Sequence, residues 1–102
     1  MTTTTTVART ILQQLGGNRF IAMTGAHTLT DHGEALSFRI PERTTRDHIN
    51  YVKIELLPID EYELTFGRIH NRNYVVVTTI DFVPVENLRE TFTRFTGLET
   101  QL

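Results

Sequence analysis

The chain has 102 residues, a formal net charge of −2 and no cysteine. That length fits one domain with one core, and the missing thiols exclude disulfides and thiolate zinc sites. A sequence pI near 6.0 gives no global attraction to nucleic acid or anionic lipid.

Met1 is followed by five threonines. The stretch has neither the basic nor the apolar region of a secretory signal, and residues 1–5 read as a disordered arm ahead of a single domain spanning 1–102. Val7, Ile11 and Leu15 recur four apart, which predicts a short helix with those residues on one face. Thr5 or Thr6 serves as its N-cap, and Gly16 supplies its left-handed end.

"RFIAMT", residues 19–24, reads as a strand, and "GAHTLTDHGE", residues 25–34, as the loop after it. "ALSFRI" alternates, with Leu36, Phe38 and Ile40 inward and Ser37 and Arg39 outward. Pro41 closes that strand, and a polar loop covers 41–49.

The clearest unit is the hairpin "NYVKIELL"–"PID"–"YELTFG". An odd loop, Pro58 to Asp60, sets 56 opposite 62, 54 opposite 64 and 52 opposite 66, so all six apolar side chains share one face. An even loop would put half of them in water, so parity selects the odd register. It sets Glu55 against Glu63, a mildly unfavourable pair.

"NYVVVTTI" reads as a β-branched strand, buried on both faces if it is central. "PVENLRETFTRFTGL" reads as a closing helix with Pro84 at its first position. Val85, Leu88, Phe92 and Phe95 form its stripe, and Gly97 and Leu98 make a Schellman end. The expected fold is therefore α+β: an antiparallel sheet of about five strands with an N-terminal and a C-terminal helix packed on one face.

Charge is unevenly spread along this plan. The loops 41–49 and 68–73 meet at one end of the hairpin; the first carries Arg43, Arg46 and His48 and the second Arg68, His70 and Arg72, with Tyr51 and Tyr74 nearby. A guanidinium fork suits carboxylate or phosphate, so this end is a candidate partner-binding surface. The alternative is a set of solvated loop tips. The other end carries Asp60 and Glu61, with Glu55 and Glu63 along the solvent face, and forms a second candidate surface that imitates a phosphate backbone.

His27 and His32 flank Asp31, but the spacing matches no zinc pattern and surface histidines are expected. No metal or cofactor is expected. Glu55 and Glu63 lack the shielding that acid–base catalysis needs, so no enzyme activity is expected. Phe92 and Phe95 lie at helical spacing and read as core. No apolar run is long enough for a membrane span.

At "NRFIAMTGA", "ALSFRIP", "INYVKIELLPIDEYELTFGRI" and "TGLETQL", the chain resembles a group of small phage-encoded proteins of unknown function. They share an N-x-F-x-x-M-T-G-A strand, a Y-x-x-x-F-G-x-I strand and a terminal T-G-L helix. The resemblance implies a host-cytoplasm location and a protein partner, with inhibition of a host defence complex, as by anti-CRISPR proteins, as one such role. Two other expectations stand beside it: a single-strand nucleic-acid binder using the basic loops, and a structural phage protein whose edge strand pairs with a copy of itself.

Overall fold

The computed structural model describes residues 6–41 and 45–100. The expected arm at 1–5, including Thr5 as a cap, and Arg43 lie outside the described residues. Helix α1 spans Val7–Leu15, and the Thr6 hydroxyl accepts the Arg9 amide at 3.1 Å. Ala8, Ile11 and Leu15 are its buried stripe. Gly16 donates to the Gln13 carbonyl at 3.1 Å and Gly17 to Leu12 at 2.9 Å, a Schellman closure.

The expected strand at 19–24 is a helix, α2, Asn18–Thr24. Its buried residues, Phe20 and Thr24, lie one helical turn apart. The Thr24 hydroxyl donates to the Phe20 carbonyl at 2.7 Å. Six mostly apolar residues satisfy either period, and Gly25, in the left-handed region at φ 75, marks a helix end here rather than a loop after a strand. The first strand falls instead inside the expected loop. It is β1, His27–Asp31, with all five residues exposed, so no burial pattern announces it.

Strand β2 spans Ala35–Arg39, β3 Tyr51–Leu56, β4 Tyr62–His70 and β5 Asn73–Val83. They form one antiparallel meander in chain order. The odd hairpin register holds: Val52 faces Phe66, Ile54 faces Leu64 and Leu56 faces Tyr62. Strand β5 is an edge strand, since no other element among the described residues pairs with its outer side, so the condition for burial on both faces is not met.

Helix α3, Leu88–Thr96, follows a 3-10 turn at Val85–Asn87, with Pro84 just before the turn. Val85 is exposed and does not join the stripe of Leu88 and Phe92. Gly97, at φ 81, donates to the Thr93 carbonyl at 2.7 Å, and the Leu98 amide goes to Thr96 Oγ1. The end is thus a single-bond left-handed closure rather than a Schellman motif.

The helices lie on one sheet face. Phe20 of α2 meets Phe38 of β2 edge-on at 5.3 Å and Phe92 of α3 at 5.2 Å, the preferred aromatic geometry. Phe66 stacks on Phe95 at 5.5 Å. The Tyr62 hydroxyl donates to Gln14 Oε1 at 2.6 Å, joining β4 to α1.

Candidate functional site

The sheet's other face is uncovered by helices, and the strand registers order it into rows. At one end, Arg39 faces Tyr51, Tyr51 faces Gly67 and Gly67 faces Val76, with His27 opposite Arg39. The middle row is Ser37, Lys53, Thr65 and Thr79. Ser37 is outward, as its alternation requires, yet only 4% exposed, because His32 Nε2 lies 2.7 Å from its hydroxyl. The last row is Ala35, Glu55 and Glu63, with Asp81 hydrogen-bonded to Glu63. That bond, followed by burial and by the charges of Asp81 and Glu55, raises the Glu63 carboxyl above its ordinary range, with Lys53 opposing.

Asp31, Asp60 and Glu61 belong to the acidic end as well: Asp31 pairs with Leu36 beyond the Ser37 row, and Asp60 and Glu61 lie at the β3–β4 turn. Asp60 sits in the left-handed region at φ 63. Burial pushes the Tyr62 phenol up, with the Gln14 hydrogen bond opposing and the Asp60 charge adding to the rise.

At the basic end the two loops meet through one side chain. Asn50, buried, donates from Nδ2 to the Ile69 carbonyl at 2.9 Å and accepts the Ile69 amide on Oδ1 at 2.8 Å. Its own amide reaches the Gly67 carbonyl at 3.1 Å. The preceding 3-10 turn, Arg46–His48, is thereby held against β4. His48, Arg68, His70, Asn73 and Val75 line one shallow groove there.

The expected residues do not all gather in it. Arg68 lines the groove, and Arg72 is exposed in the adjoining turn at φ 71. The Arg46 side chain runs instead toward the end of α3, where a Cβ on Gly97 would lie 3.4 Å from Arg46 Cγ. Tyr51 and Tyr74 meet edge-on at 5.3 Å, but on the uncovered face, whereas the groove opens on the helix side. The Tyr74 ring lies over Gly67, where an added Cβ would be 2.6 Å from Tyr74 Cε1. Burial raises the Tyr74 phenol, with Tyr51 adding to the rise.

His48 and His70 line the groove from the two loops expected to meet there, whereas sequence reasoning missed Arg39 and Asp81 as parts of these surfaces. Arg39 reads as a solvent-facing residue, yet its Nε is buried without a hydrogen-bond partner. Asp81 lies just past the strand expected at 73–80, which in the structure continues to Val83. His27 and His32 sit at opposite ends of β1, and no three metal-binding side chains gather among the described residues. No helix among them is long and apolar enough to cross a membrane.

No protein-family model, curated protein or solved structure matches this chain.

Proposed function

We propose that the protein is a binding module that acts by contact rather than by catalysis, and that its basic sheet end grips an acidic surface on another protein. The observation that carries this reading is the Asn50 bracket on Ile69, which holds His48 beside Arg68 and His70. A groove built this way presents two imidazoles and a guanidinium from backbone fixed in advance, so little ordering entropy is lost on contact. The charge layout supports it. Glu55, Glu63, Asp81, Asp60 and Glu61 stand at the far end of the same strands, so a partner is steered in one orientation.

The resemblance to small phage-encoded proteins supports a context for that partner. On this proposal it is a component of a host defence complex in the host cytoplasm, blocked as anti-CRISPR proteins block theirs.

The test is capture from nuclease-treated host lysate by the wild type, by Arg68→Glu/Arg72→Glu and by an Arg19→Glu control on α2. The double variant is expected to lose roughly tenfold or more of the captured partner with an unchanged melting temperature, and the control to lose none. Full capture by the double variant overturns the reading. Capture abolished by nuclease alone transfers the contact to nucleic acid.

A further inference from the structure

The two edges of the sheet are built differently. Strand β1 is five residues long, polar, and broken by a register shift between His27 and Thr30, with Thr28 at φ 53. Shortness and polar side chains discourage pairing at an edge, whereas register shifts and a left-handed residue occur on both edges, on β5 at Val77 and at Phe82, φ 57. Strand β5 is eleven residues long. It holds no lysine, arginine or proline, and its one charge is Asp81. Tyr74, Val75 and Val76 are 49%, 49% and 51% exposed, a row of apolar side chains in water on an unpaired ladder.

The direction of the free backbone groups can be traced. The Ile69 amide and carbonyl are both taken by Asn50, and the Gly67 carbonyl by the Asn50 amide. Ile69 and Gly67 therefore turn their backbone groups away from β5. Their partners on β5, Tyr74 and Val76, turn theirs outward, since facing residues in an antiparallel ladder either both bond or both do not. Between Val76 and Thr78 the register shifts by one extra residue, Val77. Beyond it Thr65 follows the parity of Gly67, so its partner Thr79 also faces outward, and Asp81 after it.

The outward set is thus 74, 76, 79 and 81. It maps onto itself under one operation, a two-fold axis between Val77 and Thr78. That axis sets Tyr74 against Asp81 of a second copy and Val76 against Thr79. Val75 then meets Ile80 on the helix side. Without the extra residue in each strand the parity would fail, because facing residues must share a sheet face. The same axis runs the two charge gradients in opposite directions. The Arg72 turn of one copy lies beside Asp81 and Glu63 of the other, so the arrangement is complementary in charge as well as in hydrogen bonding.

We propose that the protein forms a symmetric dimer by antiparallel pairing of β5 with β5 of a second copy, about an axis between Val77 and Thr78, making one continuous ten-stranded sheet. The occupant of this edge is a second copy, since the strand is its own complement. The basic groove opens on the helix side and its β5 wall, Asn73 and Val75, borders this edge; Thr79→Pro and Val76→Lys leave His48, Arg68 and His70 in place, so loss of the dimer and loss of partner capture are read separately.

Sedimentation of the full chain over a wide concentration range is expected to show its mass rising from 11.7 kDa toward twice that value. Thr79→Pro removes an outward amide that β4 does not use, and is expected to hold the chain monomeric with its melt retained. Val76→Lys does the same by charge, and decides the matter should Thr79→Pro not fold. The chain has no cysteine of its own, so disulfide trapping is clean. Tyr74→Cys/Asp81→Cys is expected to give covalent dimers on oxidation, and neither single variant to do so. A monomeric mass at every concentration, a dimer that survives both Val76→Lys and Thr79→Pro, or trapping by Val75→Cys alone, which would put the axis at Val75, overturns the proposal.

Discussion

Asn50 and Ile69 are joined by a pair of hydrogen bonds, 2.9 Å from Nδ2 to the carbonyl and 2.8 Å from the amide to Oδ1. A side-chain amide here does what a neighbouring strand would do for Ile69. It lies just beyond the point where β3 begins at Tyr51, and so extends the ladder by one rung.

Replacing that amide breaks both bonds at once. Asn50→Ala is expected to cost about 1–3 kcal/mol, the penalty of leaving part-buried backbone groups unsatisfied. Denaturant unfolding measures it. Asn50→Asp retains the acceptor but sets a carboxylate against the Ile69 carbonyl, and is expected to be no better than alanine. In both variants partner capture through the basic groove should fall along with stability, because His48 loses its fixed position. A variant with wild-type stability would show that the bracket carries nothing.

Gly67 and Tyr74 form a second coupled pair. A methyl group at position 67 would meet Tyr74 Cε1 at 2.6 Å and the Val75 carbonyl oxygen at 2.9 Å. Gly67→Ala is expected to destabilise by about 1–3 kcal/mol, as overpacking does. Tyr74→Ala in the same chain removes the ring but not the carbonyl. A double-mutant cycle should therefore recover part of the loss, not all of it. Strict additivity would separate the two residues.

The Glu63–Asp81 pair predicts a pH dependence. Glu63 is raised above its ordinary value, first by the hydrogen bond its protonated carboxyl donates to Asp81 and then by burial and the neighbouring charges. A carboxyl raised on folding binds its proton more tightly in the native state than in the unfolded one. Stability is then greatest below the ordinary carboxylate range and falls as pH rises through the raised value. Asp81→Asn removes both the sharing and the repulsion. Its melting temperature is expected to lack that decline from the carboxylate range upward, while the wild type shows it. Parallel profiles for the two proteins would refute the coupling.

The hairpin was fully legible in the sequence. Six alternating apolar residues around an odd loop admit one register that hides them all, and the Leu56–Tyr62, Ile54–Leu64 and Val52–Phe66 pairs follow. The opposition of Glu55 and Glu63 came with it. The helix at Asn18–Thr24 was not legible, since Phe-Ile-Ala-Met fits a helix and a strand equally over so short a run. Strand β1 was not legible either, because every one of its residues is exposed and an edge strand with no buried face has no period to read.

Local pattern by itself determined the fold class, the helix at the N-terminal end, the hairpin register and the clustering of charges at opposite ends of the strands, because each depends on spacing within a few residues. Only the tertiary structure decided which strand lies at the edge, that Asn50 closes the basic end onto Ile69, that Arg46 leaves that end for α3, and that Asp81 joins the acidic row. Those outcomes depend on which elements find a neighbour, and a chain read one segment at a time does not contain the neighbour.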